Sequence, residues 1–428
     1  MQRVLAVLGC LALAGLAAAR PVNAATDLTG RVLGNDGNPL AKAAVFIYTA
    51  APRVGISPFC PSCYVDCGKF RTTNREGAFR IPALSDSLLF RVLVTARGHE
   101  PTFVARVDPQ AGPIEVRLAQ RDPSRIDPKL GLQGRVVDRF GKPVMGATVT
   151  PVGYHRGDTL MFGLMPGTDP LSITDERGRF AIASAVSGAT WFLSLKARGL
   201  APRALQQVRP GREARIELSG GATVTGRILN GGRPVAGVAI GLVQADRRSE
   251  SYVGRDEIGT DDQGRFTFSN VAPALTYLVF AKMSSLGAVG AVPAESLVVG
   301  ADGTTANAGD LNVRPAHRLR GRVVLSDGGQ VPPGTRALLV TRDGSDALVV
   351  QLDPEGRFEA VGVPTDSIEI RALVRGYRVA PSNAGFDPIN ASSVMVFVGN
   401  DVDDFELLLE PGKPQRQGYA SPPGAKRP

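Results

Sequence analysis

Short runs of alternating apolar and polar residues cover most of the chain. Leu132, Gly134 and Val136 alternate with Gln133 and Arg135, which is the period of two expected for a half-buried β-strand. Such runs are brief and are separated by turn residues, since the chain contains 50 Gly and 32 Pro. Long stretches with apolar residues at helical spacing are lacking. The pattern therefore predicts an all-β protein made of short strands and tight turns.

The same order of strands and turns occurs four times. Each copy opens with a Gly-Arg-aliphatic run, and the four opening glycines at 30, 134, 226 and 321 lie 104, 92 and 95 residues apart. Some forty residues later each copy has an Asp or Asn, a turn, a Gly and a Phe. This spacing is too long for a solenoid repeat and suits a small independent domain. The turn glycines, which we expect to adopt positive φ, are Gly77, Gly178, Gly264 and Gly356.

The repeats divide the chain into a predicted tandem array. Each copy shows five clear strands and one or two weaker ones, which indicates an antiparallel β-sandwich. We expect Trp191 to lie in a core, because it alternates with Leu193 and Leu195. The predicted domains are residues 26–119, 130–219, 222–314 and 318–410, with a linker at 120–129 and a disordered tail at 411–428.

The repeated motif resembles a known family, the carboxypeptidase regulatory-like domain. The second copy shows the resemblance best, in Gly141–Val149 (GKPVMGATV) and Thr174–Phe180 (TDERGRF), and the third repeats it in Gly232–Val238. The fourth copy departs, with Val331–Gly334 (VPPG) in place of the Pro-Val-x-Gly turn. The resemblance implies a transthyretin-like (prealbumin-like), seven-stranded Greek-key sandwich, which is grouped with carbohydrate-binding-like folds. It also implies an accessory module without catalytic residues of its own.

The first 24 residues have the features of a signal peptide. A basic start at Arg3 precedes an apolar stretch, and Val22-Asn23-Ala24 offers small residues at the cleavage positions. The sequence thus predicts export to the periplasm, the outer envelope or the extracellular space, with no transmembrane segment in the mature form. The formal charge of +9 becomes +7 without Arg3 and Arg20. Nucleic acid is not an expected partner, because the basic residues are dispersed and no nucleic-acid motif is present.

A cysteine-rich loop at residues 59–69 interrupts the first copy. Cys60, Cys63 and Cys67 lie within eight residues, and in an oxidising compartment they predict one disulfide and one spare thiol without fixing the pairing. A metal site is the alternative, with His99 or Asp66 as a further ligand. Exchange of the thiol with a partner is the third possibility. No cofactor is expected.

Other candidate chemistry is weaker in the sequence. A zinc carboxypeptidase needs a His-x-x-Glu pair and a distant His, whereas His99, His155 and His317 lie in three different copies, so we do not expect an enzyme. Asp-rich turns at 261–262 and 401–404 are compatible with Ca²⁺ but also with ordinary turn capping. Carbohydrate binding would use exposed aromatic side chains, and the candidates in or near loops are Tyr64, Tyr154, Tyr252 and Tyr377.

These observations lead to two functional hypotheses. The first is an exported, non-enzymatic binding or structural protein of the bacterial cell envelope, with an envelope polysaccharide or another exported protein as its partner. The second is an accessory subunit in which the loop of Cys60, Cys63 and Cys67 is a metal or thiol-exchange site.

Overall fold

The protein is an array of β-sandwiches. The computed structural model describes residues 25–122, 127–248, 250–381, 387–390 and 393–412. The predicted signal peptide (1–24) and nearly all of the predicted tail lie outside these residues. We call the segments 25–118, 132–218, 222–312 and 317–411 the first to fourth sandwiches.

The first two sandwiches contain strands β1 to β15. In the first these are β1 (Ala25–Gly34), β2 (Ala44–Pro52), β3 (Phe70–Thr72), β4 (Ala78–Ser85), β5 (Leu88–Thr95), β6 (Thr102–Val107) and β7 (Ile114–Leu118), with a 3-10 turn at Pro109–Ala111. In the second they are β8 (Leu132–Asp138), β9 (Thr148–Arg156), β10 (Thr159–Phe162), β11 (Ser172–Ile173), β12 (Arg179–Ile182), β13 (Thr190–Lys196), β14 (Arg203–Val208) and β15 (Glu213–Leu218).

The last two sandwiches contain strands β16 to β32. In the third these are β16 (Ala222–Asn230), β17 (Arg233–Pro234), β18 (Ala239–Gln244), β19 (Arg255–Gly259), β20 (Arg265–Val271), β21 (Thr276–Ala281), β22 (Glu295–Val298) and β23 (Thr305–Asn312), with helix α1 (Met283–Leu286) and a 3-10 turn (Gly287–Val289). In the fourth they are β24 (His317–Leu325), β25 (Arg336–Thr341), β26 (Ala347–Gln351), β27 (Arg357–Val363), β28 (Asp366–Ala372), β29 (Tyr377–Val379), β30 (Asp387–Asn390), β31 (Ser393–Val398) and β32 (Val402–Pro411).

One seven-strand plan recurs in all four sandwiches. In the first, a three-stranded sheet of order β4-β1-β7 faces a four-stranded sheet of order β3-β2-β5-β6. The other sandwiches follow the same order and add the short strands β10, β17, β29 and β30. The expectation of purely antiparallel sheets is wrong in one respect. The first and last strands of each sandwich pair in parallel, as β1 does with β7.

Each sandwich has its own hydrophobic core between its two sheets. The four clusters of buried residues lie within 28–118, 132–218, 222–311 and 319–409. Trp191 is fully buried in the second, which confirms its predicted place. Apolar residues alternate along the strands so that one face of each sheet is covered by the other, and this burial is the main stabilising contribution. The exact domain boundaries stay a prediction.

The two repeated motifs turn out to be cross-strand partners. The opening glycine of each copy pairs with the repeated phenylalanine, as Gly134 does with Phe180. A side-chain carbon at Gly134 would lie 2.8 Å from the Phe180 ring and 2.3 Å from the carbonyl oxygen of Ala214. The glycine is therefore required because the aromatic ring lies across the backbone at this point.

The repeated turn has one geometry in all four copies. In the second, Asp175 Oδ1 accepts hydrogen bonds from the backbone N–H groups of Arg177 and Arg179, both at 2.9 Å. Gly178 has a φ of 73°, and a side-chain carbon there would lie 2.3 Å from the carbonyl oxygen of Val136. Only glycine fits this turn without strain. The other turn glycines have φ values of 72°, 68° and 79°.

Neighbouring sandwiches contact one another through polar side chains. Asp346 of the fourth sandwich is buried; its carboxylate accepts a hydrogen bond from the backbone N–H of Met283 at 2.6 Å and lies 2.8 Å from Lys282 Nζ of the third. The carboxylate thus caps helix α1 of the neighbouring sandwich. Between the first two sandwiches, Arg121 of the predicted linker forms a bidentate pair with Asp169, at 2.9 and 2.5 Å.

The first and fourth sandwiches also meet. Arg336 donates to the carbonyl oxygen of Val54 at 2.8 Å, and the backbones of Gly55 and Gly334 cross so closely that a side-chain carbon at Gly334 would lie 3.0 Å from Gly55. At the C-terminal end, the predicted tail begins too early. Pro411 belongs to β32 and pairs antiparallel with Tyr377 of β29.

Candidate functional site

The cysteine-rich loop lies between β2 and β3 of the first sandwich. Cys60 and Cys63 form a disulfide, and Cys67 is reduced. Backbone bonds fasten the loop to β2, since the N–H of Ala50 donates to Pro61 O at 2.8 Å. The pairing that the sequence left open is therefore the Cys-x-x-Cys pair.

Cys67 faces inward from this loop. It packs against the hydrophobic core of the first sandwich, together with Tyr64, and its Sγ lies 3.4 Å from the carbonyl oxygen of Pro61. Burial raises the pKa of the Cys67 thiol to about 11. A thiol with so high a pKa is almost wholly protonated near neutral pH, and the protonated form is a weak nucleophile and metal ligand.

The acidic neighbour of this thiol has a structural role. Asp66 is buried, and its carboxylate pairs with Lys69 Nζ at 2.6 Å and accepts from the backbone N–H of Ser85 at 3.0 Å. Lys69 Nζ also donates to Ala83 O at 2.8 Å. These bonds anchor the end of the loop to β4, so the Asp66 carboxylate is already fully engaged.

The metal-site candidates are not assembled into one group. His99 lies between β5 and β6, where its Nδ1 is 3.0 Å from Arg97 O and its backbone bridges Gln120. Within the described part of the chain, no group of three or more His, Cys, Asp or Glu side chains could hold a metal ion. Metal binding by Cys60, Cys63, Cys67 and His99 stays an untested prediction.

The other histidines have local partners. The His155 ring packs edge-on against Phe192, with 5.0 Å between centroids. His317 Nε2 lies 2.8 Å from Thr365 Oγ1. Each of these contacts lies within a single sandwich.

The tyrosines proposed for sugar stacking are at least partly buried. Tyr154 packs on Trp191 inside the second core, with 5.0 Å between ring centroids. Tyr64 and Tyr377 lie against their cores, and Tyr252 is half-buried. Their rings do not form an exposed flat platform, so they give little support to carbohydrate binding.

The Asp-rich turns are occupied by ordinary partners. Asp261 Oδ1 accepts from the backbone N–H groups of Gln263 and Arg265, at 2.9 and 2.8 Å. Asp401 and Asp403 pair with Arg318, at 3.4 and 3.2 Å. These contacts explain the acidic residues without a bound cation.

Grooves occupy one equivalent position in the second and third sandwiches. Each lies where the sixth and seventh strands of the seven-strand plan, which belong to different sheets, run past each other. The groove between β14 and β15 has a volume of about 430 Å³, and that between β22 and β23 about 400 Å³. We call these the basic groove and the acidic groove. No motif in the sequence marks either groove, because their walls are brought together only by the fold.

The linings of the two grooves differ in charge. The basic groove contains four arginines and one carboxylate, namely Arg203, Arg209, Arg212, Arg215 and Glu213. The acidic groove contains Glu295, Asp310 and Arg314 among amide and apolar residues. Arg314 pairs with Glu295 at 3.4 Å and Arg227 pairs with Asp310 at 2.8 Å, so its charges are largely balanced internally.

A row of arginines crosses the outer face of the second sandwich beside the basic groove. Arg135 on β8 is directly opposite Arg179 on β12 and Arg215 on β15. In the other three sandwiches, the repeated arginine of the first strand lies opposite an acidic residue of the last strand. These acidic residues are Glu115, Asp310 and Glu406. Like charges directly opposite each other are destabilising. The second copy thus has an arginine where the other three copies have an acidic residue. This difference between the copies is the sequence signal that could have located the groove.

No helix among the described residues is long and apolar enough to cross a membrane. No protein-family model matches the sequence, and the search of curated proteins gives no match either. Membership of the carboxypeptidase regulatory-like family is therefore not established. The structure supports the β-sandwich fold class.

The matches among solved structures include two pilins. The Bacillus anthracis TIE protein is 10% identical over 90% of this chain and 73% of its own, with a TM-score of 0.19. The minor pilin GBS52 of Streptococcus agalactiae is 14% identical over 47% of this chain and 100% of its own, with a TM-score of 0.23. A streptococcal ancillary pilin is 11% identical over 68% of this chain and 99% of its own, with a TM-score of 0.22. Scores this low give no guidance on function.

Proposed function

We propose that this chain is an exported, non-enzymatic scaffold of the bacterial cell envelope, with a partner that is another exported protein or an envelope polysaccharide. The observation that carries the proposal is the buried contact between the third and fourth sandwiches. A scaffold has to hold its domains in fixed relation, and Asp346 joins two of them through Lys282 and the N-terminus of α1.

The energetics of this contact favour a fixed geometry. The side chains of Asp346 and Lys282 are only 3% and 16% exposed. Removing one member of a buried ion pair leaves the other charge desolvated, which is strongly unfavourable. The exposed pair between Lys42 and Glu176, which joins the first two sandwiches, contributes far less because water screens it.

These two ion pairs provide a matched test of the scaffold. Asp346→Ala should raise amide exchange at Met283 and increase the radius of gyration measured by small-angle X-ray scattering. Glu176→Ala, which removes an exposed inter-sandwich carboxylate, should change neither. Unchanged scattering and exchange in Asp346→Ala would mean that this contact does not hold the array together.

Export is tested separately through the first 24 residues. A tagged full-length chain expressed in a bacterial host should appear in the periplasmic or extracellular fraction, and a chain starting at residue 25 should stay inside the cell. Recovery of the full-length chain in the cytoplasm, uncleaved, would contradict the proposal whatever the behaviour of the sandwiches.

The second candidate function is thiol exchange or metal binding by the cysteine loop. One observation favours it, because a reduced Cys67 lies in the same short loop as the disulfide of Cys60 and Cys63. The raised pKa of Cys67 opposes it. Iodoacetamide should alkylate Cys67 far more slowly at pH 8 than it alkylates a small-molecule thiol, whereas rapid alkylation or retained stoichiometric zinc would favour this second function.

A further inference from the structure

The charges of the basic groove lack internal partners. Among the described residues, no carboxylate pairs with Arg209, Arg212 or Arg215, and Arg203 donates to the backbone carbonyl of Glu217 at 2.5 Å. The acidic groove, at the same place in the same fold, balances its own charges. The fold therefore does not demand the arginines, and their concentration requires another explanation.

The strands beside the basic groove also have unpaired edges. Within the described chain, β14 pairs with β13 and β15 pairs with β8, and neither has a strand partner on the groove side. An edge strand exposes backbone N–H and C=O groups that an extended peptide can meet. β14 covers Arg203–Val208, and its regular edge ahead of Gln207, which has a positive φ, can pair with an extended segment of about four residues.

The floor of the groove is apolar and contains no aromatic residue. Val208 and Ile216 are buried beneath it, and Leu205 is half-buried. Little apolar surface is therefore exposed in the groove, and the lining offers no flat aromatic surface on which a sugar ring could stack. The arginines and the free edge of β14 together match the carboxylates and the main chain of an extended acidic peptide.

We infer that the basic groove between β14 and β15 binds an extended acidic segment of another exported protein. This inference rests on the proposed function, and it names the partner of that scaffold by its chemistry. Carboxylates of the segment pair with the guanidinium groups of Arg209, Arg212 and Arg215, which form charge-assisted and bidentate hydrogen bonds readily. Its backbone adds to the edge of β14, up to the bulge where Gln207 has a φ of 61°.

The test uses a fluorescent hexapeptide of alternating Glu and Val and the purified chain. Fluorescence anisotropy should show saturable binding that weakens as salt is added. The double variant Arg212→Glu/Arg215→Glu should bind roughly tenfold more weakly or not at all. The control Arg156→Glu/Arg177→Glu, which makes the same charge change at two exposed arginines outside the groove in the same sandwich, should bind as the unaltered chain does.

Two further probes separate the peptide from other anions. An N-methylated version of the hexapeptide keeps its carboxylates but loses backbone donors, and it should bind more weakly. Polygalacturonate carries carboxylates on a polysaccharide. If it binds through Arg212 and Arg215 while the hexapeptide does not, the occupant is a polysaccharide and our inference is wrong.

Failure of the groove experiment can be distinguished from failure of the proposed scaffold function. Equal binding by Arg212→Glu/Arg215→Glu and Arg156→Glu/Arg177→Glu, or no binding of any probe, would overturn the groove as a site. Export and the effect of Asp346→Ala would be unaffected by that result. Circular dichroism of each variant checks folding, which these exposed side chains should not disturb.

Discussion

The second and third sandwiches share one plan and differ at one edge. In both, an opening glycine lies under the phenylalanine of the repeated turn, at Gly134 with Phe180 and at Gly226 with Phe266. Beside this common framework, the last strand carries Arg215 in one and Asp310 in the other. The comparison separates what the fold requires from what a sandwich is free to change. Packing residues repeat, whereas outer-face charges of the last strand vary and can serve recognition.

The largest effect is expected where both sandwiches are the same. Gly134→Ala and Gly226→Ala should each lower the free energy of unfolding by about 2–3 kcal/mol, because the new methyl group meets a ring at 2.8 and 2.4 Å respectively. Denaturant unfolding of each variant measures the loss. Gly220→Ala, which has open space around it, is the control. A loss in only one sandwich would show that the framework is not shared.

The repeated turn should respond equally in both sandwiches, but less strongly. Asp175→Ala and Asp261→Ala each remove the acceptor of two backbone N–H groups. We expect each to cost about 1 kcal/mol, as the loss of a capping side chain does. Replacement by Asn, which keeps the accepting oxygen as Asn74 does in the first copy, should retain most of the stability. If Ala and Asn are equivalent in thermal unfolding, the cap is unimportant.

The outer face should distinguish the two sandwiches. Arg215→Glu places an acid opposite Arg135, as in the other three copies, and should stabilise the second sandwich by roughly 0.2–1 kcal/mol. The reverse change, Asp310→Arg, should destabilise the third. If the groove binds its acidic peptide, Arg215→Glu gains stability and loses affinity at once. A variant that lost both would indicate misfolding instead.

The smallest expected effect is on the stability of the third sandwich at acidic pH. The hydrogen bond from Arg227 holds the pKa of Asp310 below its ordinary value of 3.8. Because the folded pKa is the lower one, the stabilisation is present above the unfolded value and disappears as pH falls through the folded value. Carboxyl NMR should show Asp310 titrating below 3.8, and Arg227→Gln should return it toward 3.8. The second sandwich has Arg215 there and should show no counterpart.

The sequence was sufficient for the framework. The repeated Gly-Arg and Gly-x-Phe motifs predicted the strands and turns, because glycine and turn-capping residues act locally. It could not give the parallel pairing of first and last strands, since alternation tells which face is buried but not which strand is adjacent. Nor could it give the partner of Asp346. An Asp in a loop has the same pattern whether it caps its own turn or the helix of the next sandwich.

The candidate sites were harder to predict for a related reason. Spacing alone allowed several pairings among Cys60, Cys63 and Cys67, and only the inward packing of Cys67 explains why it is left out. The basic groove joins residues on two sheets, so no single motif marks it. The repeats show Arg215 where the other copies have an acidic residue. Only the register of β15 against β8 shows that this position lies opposite Arg135.

The parallel pairing of the terminal strands has a mechanical consequence. When a sandwich is stretched from its two ends, neighbouring strands such as β1 and β7 are drawn in opposite directions along their own axes. Their hydrogen bonds are then loaded together in shear, instead of being peeled apart one after another. The same shear geometry recurs in all four sandwiches, so each of them should resist stretching in the same way.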